Sequence, residues 1–138
     1  MNTCRNISND SSISKQTARQ LSQITSEFYT QQAQSFSATR QMPWQGWQHC
    51  LDVMSCFTAI EKPRVLDIGC GNLRFARFLT DQAEVQPATY FAVDNCEVLV
   101  QSGMTDTQIT FIKMDLVNSL LDDTLATQLK VPACDLVV

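Results

Sequence analysis

Three aspartates stand at matching places in the second half of the sequence: Asp67 in VLDIGCGNLRF, Asp94 in TYFAVDN and Asp115 in QITFIKMDL. Each falls at or near the end of a short apolar run, and the first is followed by Gly69-Cys70-Gly71. An ionised carboxylate only accepts hydrogen bonds, so it suits hydroxyl, amine and ammonium groups. Glycines in such a place allow a tight turn and close approach of a ligand to the backbone. Together these residues describe a site for a hydroxylated ligand that carries a positive group.

Two ligand classes use a glycine turn between a strand and a helix. A dinucleotide seats its pyrophosphate on the helix N-terminus and wants G-x-G-x-x-G. The sixth position of that pattern is Arg74 here. Asp67 would also face a polyanion, and two unit charges 4 Å apart interact by roughly 4 kcal/mol at an effective dielectric near 20. S-adenosylmethionine reverses the sign, because it carries an α-ammonium and a sulfonium and no phosphate. Asp67 then faces the positive end, directly or through an amide or water, while Gly69, Cys70 and Gly71 line its path. Asp94, about 20 residues beyond the start of the helix, is placed to accept from both ribose hydroxyls. Asp115 is placed to accept from the exocyclic amine of adenine, with Asn95, Cys96 and Leu116 as walls.

Plainer readings stand beside these. A glycine turn is often only a turn, and Asp94 and Asp115 also suit helix N-caps. Cys70 reads as a small filler rather than a nucleophile. Trp44 and Trp47 read as core or interface packing, and His49 as an ordinary polar helix residue.

The elements that must hold these residues follow from periodicity. Residues 1–16 are rich in Ser and Asn and are expected to be a disordered tail. From Thr17, Leu21, Ile24 and Phe28 recur at helical spacing, followed by Tyr29, Ala33 and Phe36, which predicts an amphipathic helix. Pro43 suits the first turn of a second helix reaching about Ile60, with Trp47, Leu51, Met54 and Phe57 on one face. After Pro63 the pattern changes to strands near 65–68, 89–94 and 108–115, separated by helices near 72–81 and 95–101. A further helix is expected over 117–130, then a fourth strand in ACDLVV. Alternating strands and helices imply an α/β, Rossmann-like, doubly wound parallel sheet in the order 3-2-1-4. In such sheets ligands bind at the carboxyl ends of the strands, at the switch between strands 1 and 4, where Asp67 to Gly71 lies. The expected domains are a tail over 1–16, a helical segment over 17–62 that covers the site, and half of an α/β domain over 63–138. The last strand has no turn after it, so the sequence reads as truncated at strand 4, with an apolar edge prone to self-association.

Composition narrows the function classes. The chain has 138 residues, 44% hydrophobic and 17% charged, with ten basic and fourteen acidic side chains and a net charge of −4. That balance argues against a broad electrostatic grip on nucleic acid. No apolar run reaches the roughly 20 residues a bilayer requires, and the N-terminus lacks an apolar signal core. The chain therefore reads as cytoplasmic, with no membrane partner. Six scattered cysteines and a single histidine read as reduced thiols and no metal site, since His49, Cys50 and Cys56 lack the usual zinc spacing.

The set of motifs resembles the class I S-adenosylmethionine-dependent methyltransferases. VLDIGCGNLRFARFL looks like their first motif, YFAVDN their second-strand acid, ITFIKMDL their adenine-side motif, and CDLVV the start of their fourth strand. Leu73 departs from the family, which usually has a third glycine there, and a local shift is expected. More weakly, FYTQQAQSFSATRQMPWQGW resembles the N-terminal segment of enzymes that methylate a carboxymethyl group on the tRNA wobble uridine. That likeness implies that Tyr29, Phe36 and Arg40 lie over the cofactor, with Arg40 near its carboxylate. The family implies S-adenosylmethionine as cofactor and an acceptor left open among tRNA, protein and small molecules. It assigns no catalytic residue, because acceptor-side residues follow strand 4. A non-catalytic partner module, an inactive fragment, and a dehydrogenase-type NAD domain remain as alternatives.

Overall fold

The two central strands are apolar on both sides, as a parallel sheet covered by helices on both faces requires. Val65 and Leu66 in one, and Ala92 and Val93 in the other, are all buried. The structure, a computed structural model, describes residues 13–54, 59–81, 83, 85–103 and 108–138. The chain runs α1 (Lys15–Thr39), α2 (Gln45–Val53), β1 (Arg64–Ile68), α3 (Arg74–Asp81), β2 (Thr89–Asp94), α4 (Glu97–Gln101), β3 (Ile109–Lys113), α5 (Leu116–Leu121), α6 (Leu125–Gln128) and β4 (Leu136–Val137). The strands are parallel, in the order β3-β2-β1-β4. Asp67 pairs with Ala92, and Asp94 with Lys113, so the acids are brought to one end of the sheet.

Alternation along each strand divides the core in two. One face joins Val65, Tyr90 and Ala92 to Phe75, Phe78 and Leu79 of α3 and Leu51 of α2. Trp47 closes that layer by packing edge-on against Phe75, with ring centroids 5.1 Å apart. The other face joins Leu66, Val93 and Met114 to Leu116, Leu125 and Leu129. Each large side chain buried in this way contributes about 1.5–3 kcal/mol.

Helix α1 is seated differently from the expectation. Leu21, Ile24 and Phe28 are 51%, 63% and 57% exposed, and the buried residues are Ser22, Ala33 and Ser37. Its inward stripe is small and polar over the N-terminal half, while the expected Tyr29, Ala33 and Phe36 pack inward over the C-terminal half, and the helix lies against α4 and α5. The helix also starts two residues early, because Ser14 caps it by accepting from the N–H of Thr17. The first 12 residues of the expected tail lie outside the described residues.

Other boundaries moved for local reasons. Pro43 lies outside α2, ahead of its N-cap Trp44, and α2 ends at Val53. Phe57 lies outside the described residues. The helix after the glycine turn begins at Arg74 rather than Asn72, because Gly71 and Leu73 both have positive φ, 53° and 58°. The expected 117–130 helix is two short ones. Asp123 adopts φ 56°, a conformation Asp tolerates better than most residues, and it breaks the run. Among the described residues no helix is long and apolar enough to cross a membrane.

Candidate functional site

The glycine turn spends its own amides. Gly69 and Cys70 both donate to the Val93 carbonyl, at 2.8 and 3.1 Å, and Gly71 donates to Asp94 Oδ2 at 2.9 Å. Leu73 donates back to Cys70 O at 3.0 Å. A phosphate cradle needs several amides pointing at the ligand. Here four of them have acceptors within the protein. Gly69 has φ 80°, and a Cβ there would meet nothing within 4 Å. Its glycine therefore serves backbone conformation, and it leaves open space at the wall of a cleft.

Asp67 sits below the turn and is 5% exposed. Its Oδ2 accepts from the Tyr90 hydroxyl at 2.5 Å. Burial lifts its carboxyl to about 6, and nearby Asp94 adds to the rise, while the Tyr90 hydrogen bond opposes it. Asp67 takes part in none of the ion pairs among the described residues. It is a buried anion with one neutral partner, and a cation beside it would be favourable. Burial also pushes the Tyr90 hydroxyl and the Cys70 thiol far up, with the Asp67 charge as the next cause for each. Cys70 is thus a thiol at ordinary pH and packs in the core, in line with a filler.

Two clefts meet at the turn. The larger, of about 580 Å³, is lined by Gly69, Gly71, Asp94, Asn95, Asp115 and Leu116, with Tyr29 and Phe36 of α1 above. The smaller, of about 270 Å³, holds Asp67, Cys70 and Arg40 and shares Gly69 and Gly71. Every candidate ligand residue from the sequence except Cys96 lines one cleft or the other. Cys96 does not line either cleft. It is buried against Ala33 and Leu99, so it forms no wall.

The two remaining acids are already occupied in part. Asp94 accepts from Gly71 N with one oxygen and from Cys96 N, at 2.8 Å, with the other. Asp115 caps α5 by accepting from Asn118 N at 2.9 Å, and Ser22 Oγ donates to it at 3.2 Å. The capping reading therefore holds for Asp115. Each Asp94 oxygen keeps a second lone-pair site toward the larger cleft, whereas Asp115 Oδ2 accepts from both Ser22 Oγ and Asn118 Nδ2, the latter at 2.8 Å, which leaves Oδ1 as the oxygen with acceptor capacity.

Arg74 and Asn72, which sequence reasoning passed over as site residues, complete the smaller cleft beside the expected Arg40. Arg74 lies over the Trp47 ring at 5.1 Å and donates to Met42 O. Arg40 lies over Phe36 at 3.9 Å. Neither joins an ion pair among the described residues. Asn72, 4% exposed, ties the turn to the end of α1 by donating to Ser37 Oγ and Arg40 O. Alternation along β2 puts Tyr90 on the same strand face as Asp94, a signal that sequence reasoning did not use, whereas Ser22, Asn72 and Arg74 had no pattern to mark them. Trp44 is 60% exposed, so it is not core, and His49 is an exposed helix residue. Among the described residues no group of three potential metal ligands is present.

No family model and no curated protein matches this sequence. A solved structure does match in fold. It is the phosphoethanolamine N-methyltransferase 1 of Haemonchus contortus in complex with phosphoethanolamine and S-adenosylhomocysteine, at a TM-score of 0.56 and 16% identity. This chain shares the α/β, Rossmann-like fold of that enzyme. The match covers 91% of this chain and 26% of the other, so the chain spans about a quarter of that protein's length. At such identity the fold alone is what is shared, and the reading of the site rests on the residues above.

Proposed function

We propose that the chain forms the cofactor-binding part of an S-adenosylmethionine-dependent methyltransferase. One observation carries this reading: the glycine turn is a common wall between an acceptor-rich cleft and a smaller cleft with opposite charges. Adenosine fits the first, where Asp94 meets the ribose and Asp115 the adenine amine. The amino-acid end fits the second, where Asp67 lies deep and Arg40 and Arg74 line the same cleft, neither in an ion pair among the described residues. The bound cofactor supplies an activated methyl group. The protein's part is to hold that group in line with an acceptor and to exclude water. The acceptor side needs residues beyond those described above.

The finer reading is a tRNA-modifying type, supported by the N-terminal likeness and by Tyr29, Phe36 and Arg40 lining the clefts. A dinucleotide is disfavoured, because the turn's amides are spent internally and Asp67 would face the phosphates. Calorimetry with S-adenosylhomocysteine tests the proposal. Binding is expected, and Asp94→Ala should weaken it at least fivefold, the low end for a lost charge-assisted hydrogen bond. Preferential binding of NADH, or unchanged affinity in that variant, would overturn the assignment. Transfer of a labelled methyl group to cell extract RNA or protein separates an enzyme from a non-catalytic module.

A further inference from the structure

Helix α1 is held unevenly along its length. Its C-terminal half packs Tyr29, Ala33 and Phe36 against Cys96 and Leu99. Ser37 adds contacts to Asn72 and to Ser102, each at 3.2 Å. From Lys15 to Phe28, no side chain joins any of the three hydrophobic clusters. Polar contacts hold that half instead. Lys15 Nζ donates to Leu121 O at 3.1 Å, and Arg19 pairs with Asp122 at the surface. Ser22 Oγ donates to Asp115 at 3.2 Å, and Asn95 Nδ2 donates to Ser26 Oγ at 2.6 Å.

Two of those four contacts end on residues of the larger cleft, Asp115 and Asn95, and Leu21, Ser22 and Thr25 line the cleft from above. We infer that the N-terminal half of α1 is a lid over the larger cleft, anchored by the Tyr29–Phe36 packing and latched through Ser22 on Asp115 and Ser26 on Asn95. The lid opens by undocking and fraying rather than by bending, since Lys15–Thr39 contains no glycine or proline. An isolated helix of about 14 residues is marginal in water, so the undocked half loses its helical hydrogen bonds. A ligand in the cleft touches the lid and its two latch partners together, so occupancy and closure favour each other.

Only the ligand arm of this inference rests on the cofactor proposal. Hydrogen exchange of the whole chain, followed by mass spectrometry, tests it. In the free protein, amides of residues 19–28 are expected to exchange at least tenfold faster than those of 32–39. The double variant Ser22→Ala/Ser26→Ala should speed exchange over 19–28 at least threefold, with the amides of β1 and β2 unchanged as proof of folding. Saturating S-adenosylhomocysteine should slow 19–28 at least fivefold. Equal protection of both halves in the free protein, or a double variant with an unchanged lid, would overturn the lid. If calorimetry finds no S-adenosylhomocysteine binding, the cofactor proposal fails, and the free-protein comparison still decides the lid.

Discussion

Tyr90 donates its hydroxyl to Asp67 at 2.5 Å, across the pair of strands β1 and β2 that form the middle of the sheet. The contact leaves a buried carboxylate with one neutral donor and, among the described residues, no ion-pair partner. Its carboxyl is raised from 3.8 to about 6, chiefly by burial. An acid raised in the folded state binds its proton more tightly there than in the unfolded chain. Its ionisation therefore removes stability as pH rises from about 4 to about 6, and the full loss persists above that.

Asp67→Asn tests that sign. The carboxamide oxygen still accepts from Tyr90, and no charge remains to be buried. Relative to the wild type, the variant should gain about 2–3 kcal/mol between pH 4.5 and pH 7, the size implied by the raised carboxyl. Urea midpoints at three pH values measure it, and a difference that stays flat with pH would refute the buried-anion account. In the wild type, S-adenosylhomocysteine should bind about tenfold more weakly at pH 5 than at pH 7, because its ammonium needs Asp67 ionised.

Leu73 sits at φ 58° with its side chain fully buried. A left-handed conformation costs a non-glycine residue about 1–2 kcal/mol, while a buried leucine contributes more than that. Truncation to alanine should cost about 3 kcal/mol or more and keep the strain. Leu73→Gly should be no less stable than Leu73→Ala, and about 1 kcal/mol more stable if relief of strain dominates. Denaturation of the pair decides this. A glycine variant at least 1 kcal/mol below the alanine one would show that no strain was stored there.

Gly103 and Gly69 separate close approach from conformation. A Cβ at Gly103 would lie 2.0 Å from the carbonyl oxygen of Asn72, the same oxygen that accepts from Arg77 at 2.8 Å. Gly103→Ala should therefore destabilise by about 2 kcal/mol or more through backbone displacement. Gly69→Ala meets no atom and should cost only about 1–2 kcal/mol, from its positive φ. Equal losses in chemical denaturation would remove the distinction.

The sheet was legible because burial on both faces leaves continuous apolar runs, as in VLDI and YFAV, and because glycine and proline separate them. The position of each acid followed from those runs, since a residue closing a parallel strand must reach the carboxyl edge of the sheet. Helix α1 was legible as a helix, and in its orientation only over its C-terminal half. Tyr29, Ala33 and Phe36 pack inward as their spacing predicts, yet Leu21, Ile24 and Phe28 stay exposed and Ser22 turns inward in their place. Periodicity records which residues share a face and is silent on which face meets a neighbour of fitting shape.

The sequence alone determined the α/β class, the 3-2-1-4 order and the three carboxylates at one sheet edge, because these depend on local pattern and chain connectivity. The tertiary structure alone decided that Tyr90 is the partner of Asp67, that the turn's amides are spent on β2, and that α1 roofs the cleft through hydroxyls. Those relations join residues far apart in the chain, and hydrogen bonding and burial between them are set only when the elements pack.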